Sequence, residues 1–207
     1  MLKLNLGLVE KKIIELNLAV FTISEFGKIF HIKPSTARAF LSRNSKKENH
    51  SFLRLKRGLY AFNLNPPTKF EIANKLYKPS YVSFETALSY YGIIPEMVYE
   101  ITSATTKRSK TFRAQNSLFN YLKIKKILFF GYRPRKIKGK TILIAEKEKA
   151  LLDYIYLLSL RKQPFNERLD LKKIETKKMG YYVQYYKRNL KKNKAFINLI
   201  KKIYQSL

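Results

Sequence analysis

The sequence has no cysteine and no tryptophan, only two histidines, and 14 acidic residues against 43 basic ones. Without cysteine there is no disulfide framework and no thiolate nucleophile, and a reducing cytoplasm is the expected home. The histidines, His31 and His50, cannot make an ordinary zinc site by themselves, and neither has an evident acid or nucleophile beside it. No apolar run approaches the ~20 residues that span a bilayer, so no membrane association is expected. The opening MLKLNLGLVEKK carries an early acid and no small-residue cleavage site, so it does not read as a secretory signal. Neither G-x-x-x-x-G-K-[ST] nor G-x-G-x-x-G occurs. No catalytic residue, cofactor or metal is therefore expected.

What is present is positive charge. The 207 residues carry a net +29: +8 over residues 1–65, +10 over 66–160 and +11 over 161–207. Such an excess points to a polyanion, with nucleic acid the default. Its even spread locates no binding face. Lysine outnumbers arginine 32 to 11, as expected of an A·T-rich genome, so individual placed charges say more than the total.

Residues 21–62 are the most informative stretch. Thr22-x-x-Glu25 is a capping box, followed by an amphipathic segment with Phe26, Ile29 and Phe30 on one face. The chain turns at His31-Ile32-Lys33, and Pro34 suits a first helical turn, where its missing N–H is surplus. A second helix from Pro34 to about Asn44 sets Ala37, Phe40 and Leu41 at core spacing. Its other face shows Ser35, Arg38, Ala39 and Ser42, with Thr36 and Arg43 at the margins and Lys46 just beyond. A small, polar face with one long cation suits a helix laid in a major groove. Phe52-Leu53-Arg54-Leu55 and Leu59-Tyr60-Ala61-Phe62 flank Lys56-Arg57-Gly58, a hairpin with a basic tip. Together these read as a winged helix-turn-helix. The predicted DNA contacts are Ser35, Thr36, Arg38, Ala39, Ser42, Arg43, Lys46, Arg54, Lys56 and Arg57. Leu8, Ile13, Ile14 and Leu16 suggest a preceding helix packed beneath.

Pro66-Pro67 is the expected domain boundary, since two prolines remove donors and bias their neighbours away from helix. Helical spacing returns over 68–77. Ser83 is expected to cap a helix ending at Gly92, a natural left-handed residue. Strands are expected at 98–104, 111–115, 119–125, 127–132 and 141–145. A helix follows from Glu146, with Ala150, Leu151, Tyr154, Ile155 and Leu158 on one face and Pro164 breaking it. Residues 170–207 read as Lys-rich helix, in which Tyr181, Tyr182, Tyr185 and Tyr186 fit a packing stripe at least as well as a base-stacking row.

Glu146-Lys147-Glu148-Lys149 after a strand invites comparison with a nuclease centre, where a lysine lies two residues after the second acid. Here Ala150 occupies that place. Acids complementing a helix dipole explain the cluster better.

Several stretches carry a family resemblance. Tyr81-Val82-Ser83-Phe84 through Ala87-Leu88 to Gly92-Ile93 resembles the "Y-hydrophobic-S…A-L…G-hydrophobic" segment of AbiEi-type antitoxins and related regulators. Thr102, Thr105, Thr106 and Arg108 follow as its Thr-rich strand, then Phe129-Phe130-Gly131. Ala145-Glu146 through Lys149-Ala150-Leu151 to Asp153 is similar to the family's "A-x-x-E-K-A-L-x-D" motif, and Arg57-Gly58-Leu59-Tyr60 to its "R-G-hydrophobic-Y" wing ending. The resemblance covers roughly residues 20–160. It implies a repressor of its own operon that counteracts a neighbouring nucleotidyltransferase toxin without needing to touch it, with Glu146, Lys149 and Asp153 as an antitoxin-domain motif.

The expected fold is α+β: a winged helix-turn-helix at 1–66, then an α/β domain with a helical tail at 67–207. The expected partner is double-stranded DNA, at inverted repeats in the protein's own promoter. A nucleic-acid-processing enzyme targeted by its winged helix is the alternative. An RNA binder is disfavoured, because the aromatics do not lie as a stacking sheet requires.

Overall fold

The structure, a computed structural model, describes residues 4–45, 50–161, 166 and 168–204. It is mixed α+β, with eight α-helices and two sheets among the described residues. None of these helices is long and apolar enough to cross a membrane. The chain forms two compact units that divide between Leu76 and Tyr77.

The first unit runs α1 (Leu6–Glu15), β1 (Val20–Thr22), α2 (Ile23–Ile29), α3 (Pro34–Asn44), β2 (Phe52–Lys56), β3 (Leu59–Phe62) and α4 (Lys69–Leu76). Its antiparallel sheet has the order β1-β3-β2. The capping box forms at α2: Thr22 Oγ1 accepts from Glu25 N at 3.1 Å, and Glu25 Oε2 accepts from Thr22 N at 2.7 Å. Pro34 stands in the first turn of α3, as expected. Between the helices, Gly27 lets the turn close. Its carbonyl accepts from Ile32 N at 2.9 Å, and a Cβ there would lie 3.0 Å from the Ile32 carbonyl oxygen.

Phe26 is the hub of this core. Its ring meets Phe21, Phe30, Phe40 and Phe52, with Val9, Ile13, Leu41 and Phe62 completing the buried set. Aromatic contacts of this kind add to area burial by roughly 0.5–1.5 kcal/mol each. The buried face of α1 is Val9 and Ile13, whereas Leu8, Ile14 and Leu16 are exposed. Ile13 therefore fits the sequence expectation and the other three do not, because the helix is turned toward Val9.

The boundary lies beyond Pro66-Pro67, because α4 belongs to the first unit. It packs against β1, Lys75 pairs with Glu25 at 3.4 Å, and the Leu76 carbonyl accepts from Lys56 Nζ. The prolines mark a connection inside a unit rather than its edge.

The second unit contains β4 (Ser80–Val82), α5 (Phe84–Tyr90), β5 (Ile101–Thr105), β6 (Lys110–Ala114), β7 (Ser117–Lys123), β8 (Tyr132–Ile137), β9 (Lys140–Ala145), α6 (Lys147–Arg161), α7 (Thr176–Asn189) and α8 (Lys194–Tyr204). The sheet order is β6-β7-β5-β4-β9-β8, with β4/β9 and β5/β7 parallel and the other pairs antiparallel. Residues 150–158 of α6 are buried all round, as expected of a helix surrounded by others. It packs against α5, α7 and α8.

Several expectations change here. Residues 126–128 form a 3-10 turn rather than opening a strand at 127, and β8 begins at Tyr132. The basic β8 lacks the apolar alternation that announces a strand, since its middle residues Arg133 to Lys136 all face solvent. The tail is two helices, interrupted at 190–193, rather than one. Pro164 lies outside the described residues.

Candidate nucleic-acid interface and a buried ion pair

Helix α3 packs through Ala37 and Leu41, which leaves Ser35, Arg38, Ala39 and Arg43 exposed and Thr36 and Ser42 half-buried. Lys46 lies outside the described residues. The β2–β3 hairpin turns at Gly58, whose φ of +80° is strained for any residue with a side chain. Helix and hairpin meet around a cleft of about 190 Å³ lined by Arg38 and Ser42 of α3 and by Arg54, Arg57 and Gly58 of the hairpin. Ile23 and Tyr60 form the rest of the lining. Among the described residues, no carboxylate pairs with Arg38, Arg54 or Arg57. Three uncompensated guanidinium groups thus converge from two elements on one concavity.

Lys56, expected to meet DNA, is half-buried and bonded within its own unit. A register shift lies between Arg54, opposite Tyr60, and Lys56, opposite Leu59. A bulge of this kind breaks the two-residue alternation that otherwise keeps positions i and i+2 on one face. Arg54 joins the cleft, while the Lys56 ammonium donates to the Leu76 carbonyl. Ile23 and Tyr60 were not legible as cleft residues. Tyr60 is a core residue and Ile23 packs against the core.

The family-like motif of the second unit is a buried network. Lys149 and Asp153, one turn apart on α6, are both 0% exposed and form an ion pair. Lys149 Nζ also donates to the Tyr81 and Tyr186 hydroxyls, each at 2.8 Å. Those hydroxyls donate onward to Asp153, Tyr81 to Oδ2 at 2.9 Å and Tyr186 to Oδ1 at 2.7 Å. Ser83 Oγ donates to Oδ2 at 2.8 Å. The ammonium has three donors and three acceptors, and each carboxylate oxygen receives two donors. Phe130 adds its ring face 5.3 Å from the ammonium. Gly131 lies so close that a Cβ would meet the lysine stem at 3.1 Å.

Desolvation, opposed by Asp153, pulls the Lys149 pKa below its ordinary value. Desolvation first, and the Asp153 carboxylate second, push the Tyr81 and Tyr186 hydroxyls well above theirs. Both effects come first from burial, which penalises the charged form of each group.

Ser83 occupies the N-cap position of α5 but makes no side-chain cap bond. Its hydroxyl is committed to Asp153, and Thr102 Oγ1 instead accepts from the Thr86 amide at 3.3 Å. Glu146, at the start of α6, holds Arg133 at 2.5 Å, Lys178 at 3.0 Å and the Tyr182 hydroxyl at 2.5 Å. Burial would raise its pKa, but the Tyr182 hydroxyl, Lys178 and Arg133 together hold it below the usual carboxylate value. Tyr182 and Tyr186 are therefore buried partners of acids, while Tyr181 is exposed. Sequence reading put these tyrosines on a packing stripe but had no signal for their hydroxyl partners.

No protein-family model matches the chain, and no curated protein matches it. Among solved structures it is similar to that of the Rv2827c protein from Mycobacterium tuberculosis, with 14% identity and a TM-score of 0.44. That match covers 73% of this chain and 59% of the other, so the chain spans less than two thirds of that structure's length.

Proposed function

We propose that the first unit is a winged helix-turn-helix that reads duplex DNA, with α3 in the major groove and the β2–β3 hairpin as the wing. The carrying observation is the cleft where Arg38 and Ser42 meet Arg54 and Arg57 with no carboxylate among the lining residues. Arginine forks of this kind recognise phosphate oxygens and guanine edges. In that assignment Arg38, Ser42 and the exposed Ser35 and Ala39 face bases, whereas Arg54 and Arg57 meet the backbone.

The reading extends to a cytoplasmic repressor of its own promoter, bound at inverted repeats and acting as an AbiEi-like antitoxin against a neighbouring nucleotidyltransferase. The blocks at 81–92, 145–153 and 57–60 support that extension. The buried network gives Lys149 and Asp153 a scaffolding part within it, since all their polar atoms are satisfied internally.

The test is an electrophoretic shift of the full chain on the DNA upstream of its own gene against scrambled DNA. Preference for the upstream DNA that falls in Arg38→Ala supports the reading. Equal binding to both sequences removes it. Co-expression with the neighbouring reading frame, scored by growth, tests the antitoxin part separately.

A further inference from the structure

The second unit carries a basic cleft that DNA reading by the first does not use. A cavity of about 620 Å³ opens at the turn between α7 and α8. Lys125, Arg188, Lys191, Lys192 and Lys194 line it, and no acidic residue does. All five are exposed, and among the described residues none is in an ion pair.

An ordinary account covers only part of this cluster. Arg188 lies in the last turn of α7, where the helix dipole favours a cation. Lys191 and Lys192 follow Leu190, the C-cap of α7, and stand between that favourable end and the start of α8, while Lys125 lies on neither helix. Lys194 opens α8, whose first turn contains no acid. Lys194 therefore opposes the α8 dipole, and the five cations repel one another across one cleft. A bound anion offsets both terms.

The frame beneath these charges is fixed. Asn193 Oδ1 accepts from Phe196 N at 3.0 Å, capping α8, and Asn193 Nδ2 donates to Ser159 Oγ of α6 at 2.8 Å. The turn is thereby tied to the buried central helix rather than carried on a free arm. Tyr156 and Leu160 of α6 supply an apolar wall, with Leu160 54% exposed.

We propose that this cleft binds a run of adjacent phosphate groups, supplied by a free nucleoside polyphosphate or by a nucleic-acid strand. Its volume lies within the roughly 300–1,000 Å³ of small-ligand sites. Arg188 offers a planar fork to one phosphate and the lysines offer point charges to its neighbours. Leu160 and Tyr156 give a sugar or base a surface to lie on. The proposal stands independently of DNA reading by the first unit.

The experiment titrates the full chain at physiological salt with inorganic tripolyphosphate, ATP and a short oligothymidylate. The chain is so basic that any polyanion binds weakly, so two triple variants are compared. One is Arg188→Ala, Lys191→Ala and Lys192→Ala. The other removes equal charge elsewhere on the same unit, through Arg113→Ala, Lys136→Ala and Lys177→Ala, all exposed positions. Circular dichroism verifies folding of both.

The cleft variant should lose about tenfold or more in affinity and the control about twofold or less, because close phosphate contacts rather than net charge are being removed. Loss for tripolyphosphate and ATP assigns the free polyphosphate as source. Loss confined to oligothymidylate assigns the strand. Equal loss in the two variants, or no saturable binding of any probe to the unsubstituted chain, overturns the proposal.

Discussion

Replacing Asp153 with asparagine keeps the volume of the side chain, removes its charge and turns one acceptor oxygen into an amide donor, leaving Lys149 as an ammonium that is 0% exposed. Breaking a buried pair in this way costs about 3–5 kcal/mol. An independent ceiling comes from the lysine itself, which can release its proton instead. At pH 7 that release costs about 4.6 kcal/mol, or about 1.36 kcal/mol for each of the roughly 3.4 pH units below the ordinary lysine value. The two figures agree. They also imply a pH signature. Once Lys149 is neutral in the folded variant and charged in the unfolded chain, the unfolded state binds more protons and stability rises with pH. Between pH 7 and 9 the deficit should shrink by up to about 2.7 kcal/mol. Urea unfolding followed by circular dichroism at pH 7, 8 and 9 measures this. Asp170→Asn is the control, since Asp170 is the only other aspartate, is partly exposed and pairs with Lys173 at the surface. Its effect should stay within about 0.5 kcal/mol. A deficit for Asp153→Asn below about 1 kcal/mol, or one that stays flat with pH, refutes the reasoning.

Arg38→Ala and Ser42→Ala should each weaken specific promoter binding by about 1–3 kcal/mol and relax sequence preference, read by competition against altered operators. Arg57→Ala should weaken binding to all sequences alike and lower the slope of log affinity against log salt by about one. Lys56→Ala should leave that slope unchanged and instead destabilise the first unit by about 1 kcal/mol, through loss of the bond to the Leu76 carbonyl. A slope that responds to Lys56 and not to Arg57 reverses the assignment of the hairpin. Tyr81 and Tyr186 have folded pKa values raised above their unfolded ones. Their contribution is therefore fully present below about pH 10 and is lost as pH rises past it. The double variant Tyr81→Phe with Tyr186→Phe should be less stable at neutral pH yet decline less steeply above about pH 10, measured by thermal melts.

What the sequence determined by itself is local. Thr22 and Glu25 cap α2 because three residues of spacing are enough to exchange two hydrogen bonds. Pro34 opens α3 and Gly58 turns the hairpin for reasons contained in one or two dihedral angles. The α+β class follows from periodicities that need no partner. The places where chemistry gathers were decided by the tertiary structure. Lys56 and Arg57 are neighbours in the chain, yet a register shift sends one to a backbone carbonyl and leaves the other at the cleft. Ser83 has the residue type and position of a cap, but Asp153, far along the chain, takes its hydroxyl. Tyr81 and Tyr186 stand more than one hundred positions apart and share one carboxylate. Evenly spread charge gave no hint that Lys125 and Lys192 line one cleft. Propensity and capping act over a single helical turn, whereas a hydrogen bond or an uncompensated charge cluster depends on which segments are folded against each other.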